Sequence, residues 1–113
     1  MDGVLILDKA QGPTSHDLVQ RLRRVLGVKR IGHGGTLDPM ATGVMVLLIG
    51  RATKLQQLVQ AQRKGYEATI HLGVQTDTAD AWGQPVREAP VPELSAETVR
   101  EALGALVGPI AQP

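Results

Sequence analysis

The chain has 113 residues, 42% of them apolar, with 12 Lys/Arg against 11 Asp/Glu and a formal net charge of +1. That allows one domain with a real hydrophobic core and excludes a globally disordered chain. The absence of cysteine excludes disulfides, thiol chemistry and cysteine-ligated zinc.

Val4-Leu5-Ile6-Leu7 reads as a short buried strand, and Gly12-Pro13 as a turn. Thr14 with Asp17 three residues on resembles a capping box, with Asp in place of the usual Glu. Leu18, Val19, Leu22, Val25 and Leu26 then keep helical spacing, and Gly27 is a natural stop. A glycine-rich loop leads into a buried strand over 44–49, and a second short helix fits residues 52–60, with Leu55, Leu58 and Val59 on one side. From Tyr66 to Leu72 apolar and polar residues alternate, which predicts a half-buried strand. Residues 76–83 read as a polar loop, and Pro85, Pro90 and Pro92 punctuate a connector. Ser95 opens a last helix carrying Val99, Leu103 and Leu106, ending at Gly108-Pro109. With one Tyr, one Trp and no Phe, the core must be built from Leu, Val, Ile and Ala. No apolar run approaches the length of a membrane span, and Asp2 and Asp8 bracket too short an apolar stretch for a signal peptide. A soluble cytoplasmic protein is expected.

The net charge conceals an asymmetry. Residues 1–70 hold ten Lys/Arg against five acids, and residues 71–113 hold two against six. A block of +5 followed by one of −4 fits a basic face for a polyanion, but on charge alone a solvated helix face is the favoured reading.

The densest segment is Gly32-His33-Gly34-Gly35-Thr36-Leu37-Asp38-Pro39-Met40-Ala41-Thr42-Gly43. Its four glycines permit unusual backbone angles and close approach, while Pro39 restricts Asp38 to extended conformations. It is not a Walker A loop, because no Lys-Ser/Thr pair follows a glycine, nor a dinucleotide fingerprint, because Leu37 stands at the sixth position. His16, His33 and His71 are scattered, and Ala79 and Ala81 stand where a calcium loop around Asp77 and Asp80 needs ligands. These residues give no metal site. Ser15, His33 and Asp38 supply the residue types of a hydrolytic triad, but Ser15 stands at a helix start without a nucleophile elbow, so capping is its better-supported role. What remains is Asp38, ionised at neutral pH and able to act as nucleophile or base, or else to serve as an Asp-Pro turn residue bonded to nearby amides.

Four segments resemble one family. They are Gly3-Val4-Leu5-Ile6-Leu7-Asp8-Lys9 with Gly12-Pro13-Thr14-Ser15, the glycine-rich segment 32–43, Lys64-Gly65-Tyr66 with Leu72-Gly73 and residues 76–83, and Gly108-Pro109-Ile110-Ala111-Gln112-Pro113. In order and spacing they resemble the N-terminal half of the TruB-type tRNA pseudouridine synthases. Gly34 and Met40 depart from the family's more frequent Thr and Leu.

The resemblance implies an α/β (α+β) fold with a mixed, largely antiparallel sheet and flanking helices, incomplete in this chain. It implies that residues 1–113 are the N-terminal part of the catalytic domain, with the rest of that domain and a C-terminal RNA-binding domain lying elsewhere. It also implies isomerisation of uridine to pseudouridine at position 55 in the tRNA T-loop, on a flipped-out base, by a monomer without metal or organic cofactor. Asp38 matches the nucleophile, which attacks either C6 of the base or C1′ of the ribose. His33 matches a residue that contacts the flipped substrate, and Tyr66 a tyrosine that stacks on the target base. Asp80 matches an acid that anchors the basic partner of the nucleophile. Lys64 and Lys9 match supporting positions. These 113 residues alone are expected to be inactive. The alternative is a non-catalytic RNA-binding module or RNA chaperone.

Overall fold

Three strands and one long helix come from the first half of the chain, and the residue types explain each. In the computed structural model, which describes residues 1–112, strand β1 (Gly3–Lys9) leads to helix α1 (Ser15–Leu26), β2 (Ile31–His33) and β3 (Gly43–Ile49). A 3₁₀ segment (Gly50–Leu55) and helix α2 (Gln56–Gln60) follow. β3 is central, with β1 and β2 antiparallel on either side. Leu7 pairs with Met45, Lys9 with Gly43, and Ile31 with Ile49.

α1 is held at both ends by local chemistry. Thr14 accepts a hydrogen bond from the Asp17 amide, and the Asp17 carboxylate accepts one from the Thr14 amide, completing the expected capping box. Gly27 closes the helix at φ 65°, a conformation that favours glycine. One face of the helix covers the sheet. Val19, Ile31, Met45, Leu47 and Ile49 form the buried core, flanked by Leu7, Leu18, Leu22, Leu26, Val28 and Leu37. Each fully buried aliphatic side chain contributes about 1.5–3 kcal/mol. Arg23 ties the end of α1 to β2 by donating to the Ile31 carbonyl at 3.0 Å.

Residues 1–67 and 68–113 are two separate compact units. In the second, β4 (Val74–Thr76) and β5 (Pro85–Glu88) form an antiparallel hairpin, and α3 spans Ala96–Gly104 with Ser95 as its cap. The expected α+β class with antiparallel sheets is therefore what the chain forms.

Several expected elements differ in detail. β1 is an edge strand covered on one face only, so Val4 and Ile6 are exposed rather than buried. The helix expected over 52–60 is 3₁₀ through Leu55 and α-helical only from Gln56, with Leu55 and Leu58 exposed and Val59 half-buried. Residues 66–72 form no strand and are exposed on both sides of their alternation: a strand needs a hydrogen-bonding partner, and none pairs with them among the described residues. Pro85 begins a strand, a position that requires no amide hydrogen. α3 ends at Gly104, four residues before Gly108, and Leu106 lies in the turns beyond it.

Candidate active site

The glycine-rich segment starts as β2 and ends as β3, so its middle is a loop slung between two paired strands. The Gly34 amide extends the pairing by donating to the Val46 carbonyl at 2.8 Å. His33 is half-buried, and its Nδ1 lies 2.9 Å from the Gly35 carbonyl. A carbonyl only accepts, so Nδ1 carries the proton of this bond and Nε2 lies outside it. A Cβ at Gly35 would lie 2.8 Å from Lys64 Nζ, so the absence of a side chain there lets the ammonium approach the loop backbone.

Asp38 is exposed and opens a turn in which its own carbonyl accepts from the Ala41 amide at 3.0 Å. Pro39 is the second residue of that turn, where its fixed φ is favourable. Contacts from β1 and α1 hold the turn on both sides. Upstream, Ser15 Oγ donates to the Leu37 carbonyl at 3.0 Å and accepts from the Leu37 amide at 2.9 Å. Downstream, Lys9 Nζ donates to the carbonyls of Pro39 at 3.1 Å and Ala41 at 2.6 Å, and to Ala10 at 3.0 Å. The Gly12 amide adds a bond to the Pro39 carbonyl at 2.7 Å. The loop backbone is thus pinned while the Asp38 side chain projects from an exposed position. Among the described residues side-chain bonds reach this loop at Gly35, Leu37, Pro39 and Ala41, and not at the Asp38 carboxylate.

Lys9 is the least expected member. It is 1% exposed, although lysine is almost never fully buried without partners. Its three convergent carbonyls supply them. Ser15 corrects an expectation: Thr14 performs the capping, and Ser15, 3% exposed, bonds across 22 residues to Leu37. With its proton and an acceptor site engaged there, Ser15 has no nucleophilic role. Only a contact map could have revealed this pairing, because nothing local in sequence signals it.

The first unit brings Lys9, Ser15, His33, Lys64 and Asp38 onto one loop system. Tyr66, 69% exposed, follows Lys64 by two residues and leaves its ring open to contact. Asp80 belongs to the second unit, where it organises the turn between β4 and β5. Its Oδ1 accepts from Thr78 Oγ1 at 2.7 Å, the Trp82 amide at 2.9 Å and the Gly83 amide at 3.1 Å. The Thr78 hydroxyl and then the Trp82 amide, with a lesser share from the Gly83 amide, hold this carboxyl below the usual aspartate range against an opposing desolvation.

Comparison with known proteins bears on the same segments. Residues 23–113 match the family model of the TruB family pseudouridylate synthase, N-terminal domain. A tRNA pseudouridine synthase B of Opitutus terrae is 52% identical over 108 residues, covering 96% of this chain and 45% of that protein. Another, of Aromatoleum aromaticum, is 49% identical over 112 residues, covering 99% of this chain and 36% of that protein. This chain therefore spans less than half the length of these curated relatives. Among solved structures, a chain in an H/ACA RNP bound to a substrate RNA containing 2′-deoxyuridine aligns with a TM-score of 0.48 and 45% identity, over 50% of this chain and 18% of that one. The match of 91 of the 113 residues to one family model, with half of all residues identical to those of curated relatives along nearly the whole chain, places this chain in the TruB pseudouridylate synthase family as its N-terminal portion.

Proposed function

We propose that the protein carrying these residues converts uridine to pseudouridine in tRNA, at the T-loop position conventionally numbered 55, with Asp38 as the nucleophile. Residues 1–113 are then the N-terminal part of its catalytic domain. The observation that carries the reading is Asp38 itself: an exposed carboxylate on a turn pinned at Leu37, Pro39 and Ala41, in a chain of this family. A carboxylate needs no activation to be anionic at neutral pH, so the remaining requirement is placement.

The reaction is an isomerisation. The bond from ribose C1′ to N1 breaks, the bond from C1′ to C5 forms, C5 gives up its proton and N1 gains one. Asp38 forms a transient covalent bond, to C6 of the base or to C1′, and is regenerated. An extruded base needs a stacking surface, and the open ring of Tyr66 offers one. His33, with Nδ1 bonded to the loop, leaves Nε2 for a contact with the RNA. Lys64 offers an ammonium to phosphate, and the basic first 70 residues supply further sequence-independent affinity. Asp80, with its ordered and ionised carboxylate, is suited to anchor the basic partner of Asp38. The reading includes a cytoplasmic monomer that uses no metal.

The test is pseudouridine formation in a T-stem-loop RNA by the full-length protein carrying Asp38→Asn. Loss of turnover with unchanged RNA binding is expected. Retained turnover overturns the nucleophile assignment, and a wild-type protein that binds the RNA without converting uridine favours a non-catalytic RNA-binding module.

A further inference from the structure

We propose that Ser15 is a positioning residue that sets the direction of the Asp38 side chain, a role that rests on Asp38 being the nucleophile. The geometry concerns the two peptide planes that meet at the Asp38 Cα. A peptide unit is planar, so fixing one of its polar groups restricts the whole plane. The plane between Leu37 and Asp38 is held through the Leu37 carbonyl, which accepts from Ser15 Oγ at 3.0 Å. The same hydroxyl accepts from the Leu37 amide at 2.9 Å, fixing the preceding plane as well. The plane between Asp38 and Pro39 is held through the Asp38 carbonyl, which accepts from the Ala41 amide at 3.0 Å. With both flanking planes restrained, the Cα–Cβ bond of Asp38 has a set direction, and only side-chain rotation remains.

Ser15 is suited to this in a way its neighbours are not. A single hydroxyl donates once and accepts, so it can satisfy both backbone groups of one residue. It performs for Leu37 the double exchange that a strand partner would supply, but from the first turn of a helix. Ser15 is buried and Leu37 half-buried, so water has limited access to the pair. Ser15 also has no helix-capping duty to explain its burial, because Thr14 holds the cap. Lys9 and Gly12 brace the far side of the turn, at Pro39 and Ala41. Among the described residues Ser15 alone bonds the plane that leads into Asp38.

The test uses the full-length protein and a T-stem-loop RNA. Ser15→Ala is expected to lower kcat by about 10- to 100-fold, because misplacement of a reacting group is felt mainly in the chemical step. KM for the RNA is expected to stay nearly constant, since phosphate contacts elsewhere carry affinity. Ser15→Thr keeps a hydroxyl and is expected to recover most of the lost kcat. Thr14→Ala is the control for helix stability: it removes the cap one residue away, leaves the Ser15–Leu37 pair intact, and is expected to keep kcat at temperatures below its unfolding transition. If Ser15→Ala does not fold, Ser15→Cys, a weaker donor and acceptor, takes its place with an expected intermediate kcat. Wild-type kcat in the folded Ala or Cys variant overturns the proposal. So does a loss no greater than that of Thr14→Ala, or a rise in KM without a fall in kcat. Activity retained by Asp38→Asn overturns the reading of Asp38 itself, independently of Ser15.

Discussion

The Lys9 ammonium lies 2.6 Å from the Ala41 carbonyl oxygen, 32 residues away in sequence, and joins the end of β1 to the end of the Asp38 turn. The same nitrogen serves Pro39 and Ala10, so one buried cation organises three carbonyls that would otherwise lack a common donor. Lys9→Met keeps most of the side-chain volume but removes every donor. It is expected to destabilise the fold by about 1–3 kcal/mol, since the half-buried Ala41 carbonyl loses its donor while the Pro39 carbonyl keeps the Gly12 amide. Lys9→Arg is not expected to rescue, because a planar fork cannot reproduce three converging ammonium bonds. Equilibrium urea unfolding of the two variants checks both statements. A midpoint unchanged in Lys9→Met would show that the bonds contribute little.

A Cβ at Gly34 would collide with a Val59 methyl and approach Val46, so the valine of α2 occupies the space that a side chain at 34 would need. Gly34 is therefore matched to Val59 rather than required for its backbone angles. Gly34→Ala is expected to cost about 1–3 kcal/mol through overpacking at this buried site. Val59→Ala opens the space, so the double variant should recover part of that loss, with a coupling of about 1 kcal/mol in a double-mutant cycle. Thermal unfolding of the four proteins measures it. Strict additivity would show that the crowding is relieved elsewhere.

Local signals were legible in the sequence and distant pairings were not. The Thr14–Asp17 box, the Gly27 stop and the Ser95 cap each depend on residues within a few positions, and each forms as read. The strand over 44–49 was legible, but only its end is buried: Leu47, Leu48 and Ile49 are covered on both faces, while Val44 is exposed and Val46 half-buried. β2 was hidden because three residues, one of them glycine, carry too little periodicity. Residues 66–72 were misread because alternation records a potential face, while a strand also needs a partner. In the site, Asp38 and His33 stood out by composition. Lys9 and Ser15 did not, because their partners lie 22 to 32 residues away and a buried lysine runs against its usual preference.

The cations at the end of α1 offer a separate test of RNA contact. Arg24 and Lys29 are exposed and line a hollow with Gln20, Arg23, Gly27 and Val28. Cations there also favour the helix C-terminus, so stability and RNA binding must be separated. If both touch phosphate, Arg24→Gln with Lys29→Gln should reduce the slope of log affinity against log salt by about 0.7–0.9 per cation removed. Turnover at saturating RNA should be unchanged. Affinity measured across a salt series checks the slope, and an unaltered slope with a lowered Tm would assign both residues to helix stability alone.

Asp80 gives the β4–β5 turn a defined acid response. Its carboxylate receives the Thr78 hydroxyl and the Trp82 and Gly83 amides, and these bonds hold its pKa below the usual aspartate range. The folded pKa is therefore lower than the unfolded one. Between the two values the unfolded chain binds more protons, so stability rises with pH across that window. The contribution is fully present above the unfolded pKa of about 3.9 and is lost as pH falls through the folded value. Asp80 is half-buried in a two-stranded hairpin, so the turn should loosen locally without global unfolding. The amide resonances of Trp82 and Gly83 should report it by NMR, shifting together with a midpoint below about 3.9. Asp80→Asn keeps an oxygen acceptor but no titrating charge, and should abolish the shared transition. A midpoint at the unfolded value would mean that the three bonds do not favour the charged carboxylate over its acid, and the turn would owe its order to the hairpin alone.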